Sequence, residues 1–406
     1  MKKKINFFTL GSTDFTHGGS SFFNHSFIKK YNLKFKINVF FLNEKKSYFN
    51  EINKKNLIKK NKNLYFKFFF FKNNFKFNTF DIGKLYFERI HDLQNVRVFF
   101  NKNIKSIKQA DYNFCKDFVW AKLLSENKIK NVCLIGDPFI EQIYYDFNNL
   151  KNDFFKKIYI YIKYFFLKNY LKNFLKNKDL KKYTSFITHI PYCKKLYGGY
   201  GLKVKYVPTF QLNQKVKIKK NKFDLSSKGF NLLFLGRSGS SASRKFFNEL
   251  DNLCEWLSIF KKVNVFIVSD NSVKYVSKHK SVNIIFLKKQ NDLSKIAKKI
   301  HFGIYFSNYN IGIRQRIIFT MSYGIPVICS ENNKQSLINL KNMRDIIYYK
   351  NIKSFRSNIT EVISDKKKYF DMRINTLSSQ RKYYSLEKNL KLHMNQVLLK
   401  AGKIEK

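Results

Sequence analysis

Short apolar runs alternate with longer stretches of helical pattern along most of the chain. In the first half the pattern predicts strands at 4–10, 36–42, 64–71, 96–100, 131–135, 184–188 and 204–207. In the second half it predicts strands at 231–235, 263–268, 283–287, 302–306 and 325–329, with helices notably at 241–260, 291–300 and 313–323. Such alternation is typical of βαβ units, so we expect an α/β protein with parallel sheets.

A polar and charged segment, 216–229, separates two halves that each show this alternation. A chain of 406 residues suits two domains of ordinary size. We therefore expect a first domain over 1–215 and a second over 228–375. The stretch at about 380–400 has apolar residues at helical spacing and is a candidate to pack back on the first domain.

Residues 152–182 are dense in Phe, Tyr, Ile and Lys and allow two interpretations. A lysine-free stripe follows helical spacing through Phe155, Tyr159, Ile162, Phe166 and Tyr170. A stripe this narrow more often packs on a sheet, so a core face is the preferred interpretation. Further aromatic residues lie among lysines, which keeps a membrane-lying helix open.

The chain has 79 basic and 27 acidic residues, which gives a formal net charge of +52. Nucleic acid, anionic lipid headgroups and a coding bias toward Lys, Asn, Phe, Ile and Tyr each explain such a charge. The lysines are spread along the whole chain, which favours the bias. A peripheral contact with an anionic membrane stays open, and nucleic acid is the least favoured partner.

The five cysteines are widely spaced and contain no CxxC pair, which gives no disulfide framework and fits a reducing compartment. The apolar stretch after Met1 is short and lacks a small-residue cleavage pattern, so a first strand explains it better than a signal peptide. Without an apolar run of about 18 residues, we expect no spanning helix and a cytoplasmic protein. The sequence also has no Walker loop and no metal-binding motif, so we expect no metal and no cofactor.

The most informative stretch opens the second half. A predicted strand from Asn231 ends at Gly236-Arg237, continues into a Gly/Ser loop, and is followed by a helical pattern that contains Lys245. The backbone N–H groups of such a loop suit a phosphate, and Arg237 and Lys245 add cations. Gly312, Arg314 and Arg316 stand where a later helix begins, and the two arginines can bind phosphate by charge-assisted hydrogen bonds.

The segment after these arginines has a structural role. Gly324 suits the C-cap of the helix, Pro326 prevents its continuation, and Val327-Ile328 begin a buried strand. Together these motifs resemble the C-terminal domain of family-4-type GT-B glycosyltransferases. The resemblance covers Gly236-Arg237, the downstream Lys245 and the Met321-x-x-Gly-x-Pro-Val ending.

The resemblance implies two Rossmann-like parallel-sheet domains that face a central cleft. It also implies a nucleotide-sugar donor whose diphosphate contacts Arg237 and Lys245. The donor site would be completed by Gly236, Gly312, Arg314 and Arg316. The sequence departs from the family at two positions, because many members carry glutamates where Ile311 and Phe319 stand here.

The first half resembles the same family at the loop after the first strand, where Gly18-Gly19 stand near Asp14 and His17. Such a loop would face the cleft, although Asp14 also suits turn capping and His17 a surface position. Asp137 follows one predicted strand and His189 another, at the carboxyl edge where α/β sheets bind ligands. We expect the acceptor near Gly18, Gly19, Asp137 and His189.

The implied activity is transfer of a sugar to a glycan or lipid-linked acceptor, such as a cell-envelope polysaccharide. The catalytic candidates are Arg237, Lys245, Asp14 and His17. A retaining reaction, as in the family, needs no dedicated base. An inverting reaction would need one of Asp14, His17, Asp137 and His189 to take the acceptor proton. The alternative is a non-catalytic basic protein on a degenerate GT-B fold that binds nucleic acid or anionic surfaces.

Overall fold

The computed structural model describes residues 2–9, 19–43, 63–70, 93–136, 140–141, 143, 147, 154–216, 218, 229–236, 249–269, 275–288, 293–305 and 315–400. The chain forms two compact units. The first comprises Met1–Pro208 and Leu390–Lys406, and the second comprises Thr209–Asn389. Each unit contains one parallel sheet with helices around it.

The first unit contains a seven-stranded sheet. Its strands are β1 (Lys4–Thr9), β2 (Lys36–Asn43), β3 (Leu64–Phe70), β4 (Tyr112–Lys116), β5 (Asn131–Ile135), β6 (Thr184–Thr188) and β7 (Val204–Tyr206). The order across the sheet is β3-β2-β1-β4-β5-β6-β7, and every pair is parallel. The direction of winding therefore reverses between β1 and β4.

Seven helices lie in the described residues of this part of the chain. They are α1 (Gly19–Tyr31), α2 (Leu93–Lys102), α3 (Ile104–Lys108), α4 (Phe118–Glu126), α5 (Phe154–Leu175), α6 (Lys178–Tyr183) and α7 (Pro191–Gly198). Aromatic residues fill the core on both faces of β1: Phe7 stacks on Phe27 of α1 at 5.2 Å, and Phe8 lies 5.2 Å from Trp120 of α4. Burial of both strand faces is what a parallel sheet covered by helices requires.

The second unit contains a six-stranded sheet. Its strands are β8 (Phe230–Leu235), β9 (Val263–Ser269), β10 (Val282–Lys288), β11 (Phe302–Tyr305), β12 (Val327–Ser330) and β13 (Ile347–Tyr349). The order is β10-β9-β8-β11-β12-β13, again with parallel pairs only. The winding reverses between β8 and β11.

The helices described in the second unit are α8 (Leu250–Leu257), α9 (Ser294–Ala297), α10 (Gln315–Met321), the 3-10 helix Glu331–Ser336, α11 (Ile352–Ser364) and α12 (Lys366–Tyr384). A final helix, α13 (Leu386–Lys400), follows. From Leu390 onward α13 belongs to the first unit, where the Tyr31 hydroxyl donates to the Leu390 carbonyl at 3.0 Å.

The sequence patterns were wrong about two elements of the first sheet. Residues 96–100 lie in helix α2, and Val96, Phe99 and Phe100 are buried because their i, i+3, i+4 spacing places them on one helix face. Strand β4 was not predicted because polar residues interrupt it. Its buried Asn113 is satisfied by the Asn6 amide, which donates to Asn113 Oδ1 at 2.9 Å.

The expectation that the lysine-free stripe within residues 152–182 packs on the sheet is also wrong. In α5 the side chains of Phe155, Tyr159, Ile162 and Phe166 are 84%, 58%, 40% and 46% exposed. The buried face consists instead of Leu167, Leu171, Phe174 and Leu175. Across the ranges given above, no helix is long and apolar enough to cross a membrane.

Candidate functional site

The reversal between β8 and β11 is the topological switch point of the second sheet. In open α/β sheets ligands bind beyond the carboxyl ends of the strands at such a switch point. Gly236 follows β8 directly, and its N–H donates to the Val268 carbonyl at 3.0 Å. Gly236 itself is partly exposed. The chain therefore leaves β8 at a residue that solvent reaches.

A recess that has room for no more than one water molecule lies between the ends of β8 and β11 and helix α10. Its lining consists of Leu233, Leu235, Ile304, Tyr305, Arg316, Ile317, Thr320 and Val327. Arg316 is the charged residue of this lining and lies in the first turn of α10. Arg316, which the sequence analysis expected near the donor site, therefore lies at the switch point of the second sheet.

Helix α10 is held close to the sheet by a glycine. A Cβ at Gly303 of β11 would lie 2.6 Å from Thr320 Cγ2 and 3.1 Å from Val327 Cγ2, so only glycine permits this approach without rearrangement. The predicted C-cap is present, since Gly324 has a φ of +66° and its carbonyl accepts from Arg373 Nε at 2.9 Å. This packing fixes the position of the α10 backbone at Arg316.

A buried hydroxyl lies at the same edge. Ser269 ends β9, one residue beyond Val268, to which the Gly236 N–H donates. The Ser269 Oγ is buried and has no hydrogen-bond partner among the described residues. Buried polar atoms are normally paired, so Ser269 is a further candidate to contact a polar ligand, which the sequence motifs did not indicate.

The other predicted donor residues have no described structure. Arg237, Lys245, Gly312 and Arg314 lie outside the described residues, as does Ile311. Phe319, which stands where many family members have a glutamate, packs its ring against Tyr323 at 5.4 Å between the centroids. The side chain at position 319 therefore contributes to packing.

The first unit has a corresponding switch point between β1 and β4. Thr9 ends β1, Lys116 ends β4, and Asn24 of α1 joins them. Asn24 Nδ2 donates to Thr9 Oγ1 at 3.0 Å, and Lys116 Nζ donates to Asn24 Oδ1 at 3.0 Å. Sequence analysis did not identify Lys116, because the strand that places it was not predicted.

Burial lowers the pKa of Lys116 to about 8, and the neighbouring Asp117 partly opposes that shift. Burial likewise raises the pKa of Asp117, opposed by Lys116. Asp117 also has a φ of +83°, a conformation that side chains other than glycine rarely adopt. A strained residue beside a buried cation at the switch point is typical of functional sites.

In the sequence, each predicted acceptor residue comes after a strand of the first sheet. Asp14, His17, Gly18 and Asp137 lie outside the described residues, and Gly19 is the first residue of α1. His189 follows β6 and is buried. His189 Nδ1 lies 3.2 Å from the Val207 carbonyl oxygen and 3.2 Å from Nε2 of His393 in α13.

The histidine pair is expected to make the first unit less stable in acid. Burial, then the nearby His393, and also Lys116, lower the pKa of His189 well below its ordinary value, while the Val207 carbonyl opposes the shift. Below about pH 6.5 the unfolded chain therefore binds a proton that the folded chain does not. The resulting stability is present above this pH and is lost as the pH falls through it.

Urea unfolding at several pH values tests this expectation. In a Trp256→Phe background the remaining tryptophan, Trp120, reports on the first unit. His189→Phe should flatten the dependence of the unfolding free energy between about pH 7 and pH 5. His25→Gln, which alters a partly exposed histidine of α1, should leave the slope unchanged. An unaltered slope in His189→Phe would contradict the expectation.

The protein has the GT-B fold, with two Rossmann-like units whose parallel sheets both reverse winding after their first three strands. This confirms the predicted fold class. No protein-family model matches the chain, and no curated protein matches its sequence. Within the described part of the chain, no three His, Cys, Asp or Glu side chains are grouped as metal ligands would be.

Solved glycosyltransferases share the fold over nearly their whole length. Anabaena Alr3699/HepE in complex with UDP-glucose has a TM-score of 0.62 at 11% identity and covers 97% of this chain and 98% of its own. A glycosyltransferase from Rickettsia africae ESF-5 has a TM-score of 0.64 at 13% identity, with coverage of 98% and 99%. The lipopolysaccharide outer core galactosyltransferase WaaB has a TM-score of 0.58 at 14% identity, also with coverage of 98% and 99%.

Proposed function

We propose that this protein is a glycosyltransferase that moves a sugar from a nucleotide-sugar donor to an acceptor. One observation carries the proposal: at the switch point of the second sheet, the partly exposed Gly236 follows β8, and the cation Arg316 lies in the first turn of α10 beside the same strand end. A diphosphate needs N–H donors and fixed positive charge, and the Gly/Ser segment that follows Gly236 in the sequence would supply the donors. The likeness to HepE, whose structure contains UDP-glucose, supports a sugar nucleotide as the source of that diphosphate.

The second unit would act on the leaving group. As the glycosidic bond of the donor breaks, negative charge grows on the diphosphate. Arg237, Lys245, Arg314 and Arg316 would offset that charge, and Gly236 and Gly312 would allow close approach of the backbone. With these cations in place, we propose a reaction that needs no metal ion and no other cofactor.

The first unit would bind the acceptor along the carboxyl edge of its sheet. Asp14, His17, Gly18 and Gly19 follow β1, Asp137 follows β5, and His189 follows β6. Lys116 joins this set, because it lies at the end of β4 beside Thr9. A glycan or lipid-linked acceptor, such as a cell-envelope polysaccharide, is the proposed class. A retaining reaction needs no base, and an inverting one would use Asp14, His17, Asp137 or His189.

Thermal unfolding with nucleoside diphosphates tests the donor site. UDP or GDP at about 100 times its Kd should raise the Tm by roughly 5 °C or more. The shift should disappear in Arg237→Ala and persist in Lys353→Ala, which removes an exposed cation from α11 of the same unit. A shift caused only by short oligonucleotides or other polyanions would instead favour the non-catalytic basic binding protein.

A further inference from the structure

An exposed apolar surface covers the amino-terminal half of α5. Of eighteen large hydrophobic side chains exposed in the described chain, eight lie in this half: Phe154, Phe155, Ile158, Tyr159, Tyr161, Ile162, Phe165 and Phe166. The other ten are scattered singly, which is ordinary for a protein surface. A concentration of this kind marks a contact surface, and we call these eight residues the α5 face.

The α5 face has lysines at both edges. At about 100° per residue, the eight residues occupy an arc of roughly 160° on the helix. Lys157 and Lys168 lie beyond one edge of the arc, and Lys163 lies beyond the other. The opposite side of the helix is buried through Leu167 and Leu171. No acidic residue occurs between Phe154 and Lys178.

We propose that the α5 face docks the first unit on the surface of an anionic lipid bilayer, with α5 lying parallel to the membrane. The phenyl and aliphatic side chains would enter the boundary between headgroups and acyl chains. The flanking lysines would bury their methylene stems and place their ammonium groups among the lipid phosphates. The net charge of +52 would attract the protein to such a surface. This proposal does not depend on the proposed transfer reaction.

Charge and shape favour lipid over other occupants. In a symmetric dimer the α5 face would meet itself, which would bring lysines of one copy toward lysines of the other. A nucleic acid would satisfy the lysines and stack on aromatic rings, but it offers no apolar environment for Ile158 and Ile162. A bilayer surface supplies both an apolar layer and negative charge.

Vesicle sedimentation with the full chain tests the apolar part of the proposal. Vesicles contain phosphatidylcholine with or without about one-third phosphatidylglycerol. The double variant Phe155→Ser/Phe166→Ser should bind the anionic vesicles at least about tenfold more weakly than the unaltered protein. The matched control Ile259→Ser/Val276→Ser removes side chains that are 54% and 89% exposed in the second unit, and it should bind normally.

A second pair of variants tests the role of the lysines in the proposal. Lys163→Gln/Lys168→Gln should weaken binding by about fivefold for each lysine, and added salt should have the same effect. Lys278→Gln/Lys353→Gln, which alters exposed lysines of the second unit, is the matched control and should retain binding. Circular dichroism and the Tm should not change in any of these variants, since all the altered side chains are at least partly exposed.

A third variant reports insertion directly. The Trp fluorescence of Phe155→Trp should shift to shorter wavelength with anionic vesicles and stay unchanged with phosphatidylcholine alone. The proposal is overturned if Phe155→Ser/Phe166→Ser binds vesicles as well as the unaltered protein does. It is also overturned if that variant disperses a dimer seen without lipid, or abolishes oligonucleotide binding while vesicle binding persists. None of these assays uses a sugar donor, so their outcome is independent of the donor screen.

Discussion

Replacing Arg316 with methionine is expected to lower kcat/KM for sugar transfer by roughly a hundredfold. Arg316 is the charged residue of the recess between β8 and β11, with Leu235 and Tyr305 in the same lining. Negative charge on the leaving diphosphate is greater in the transition state than in the bound donor. A cation that contacts the diphosphate therefore stabilises the transition state more, and its loss should appear mainly in kcat.

The design of the substitution separates charge from packing. Methionine keeps an unbranched apolar stem and removes the guanidinium group. Arg316→Lys keeps the charge but loses the planar pair of donors, so it should cost less, about tenfold. Initial rates are measured with the nucleotide-sugar identified in a donor screen. Arg97→Met, which removes an exposed arginine from α2 of the first unit, is the control and should retain full activity.

A different outcome for Arg316→Met would change the assignment. A rise in KM with constant kcat would mean that Arg316 contributes equally to the ground state and the transition state. Activity within threefold of the unaltered protein would show that Arg316 does not act on the diphosphate. The charge of the donor site would then have to come from Arg237, Lys245 and Arg314.

The fold could be predicted because most of its strands are short apolar runs that are visible in the sequence. A parallel strand that is buried on both faces needs a continuous apolar run, and such runs stand at β8, β9 and β11. Prediction failed where polar residues are satisfied by distant partners. Asn113 and Lys116 interrupt β4, and their partners Asn6 and Asn24 lie roughly a hundred residues earlier.

The candidate site was predictable to a similar extent. The Gly236 motif is local, since the predicted strand, loop and helix follow one another directly in the sequence. The Lys116 cluster instead depends on three segments that meet only after the sheet has formed. The α5 face shows a further limit. Helical spacing identifies a stripe, but two stripes compete in α5, and the core contacts the one that contains Leu167 and Leu171.

Replacing Asp345 with alanine is expected to reduce the unfolding free energy of the second unit by about 3–5 kcal/mol. The Asp345 side chain is fully buried, and its carboxylate accepts from Lys341 N at 2.8 Å, Arg344 Nε at 3.0 Å and Ser379 Oγ at 3.0 Å. Its backbone carbonyl accepts from Thr376 Oγ1 at 2.7 Å. Ser379 and Thr376 belong to α12, so this residue links the turn before β13 to that helix.

Alanine at position 345 would leave the Lys341 N–H and the Ser379 hydroxyl without their acceptor inside the protein, and an unpaired buried donor costs more than the lost bond itself. Asp345→Asn keeps one acceptor oxygen and should cost roughly half as much.

Urea unfolding followed by Trp256 in a Trp120→Phe background isolates the second unit, because Trp256 packs on Tyr349 and Phe355 there. Asp371→Ala, at an exposed carboxylate of the same helix α12, should change the free energy by less than about 0.5 kcal/mol. If Asp345→Ala cost no more than Asp371→Ala, the carboxylate would not be what holds α12 to the turn, and the apolar contacts of Met372 and Tyr369 would have to account for that attachment.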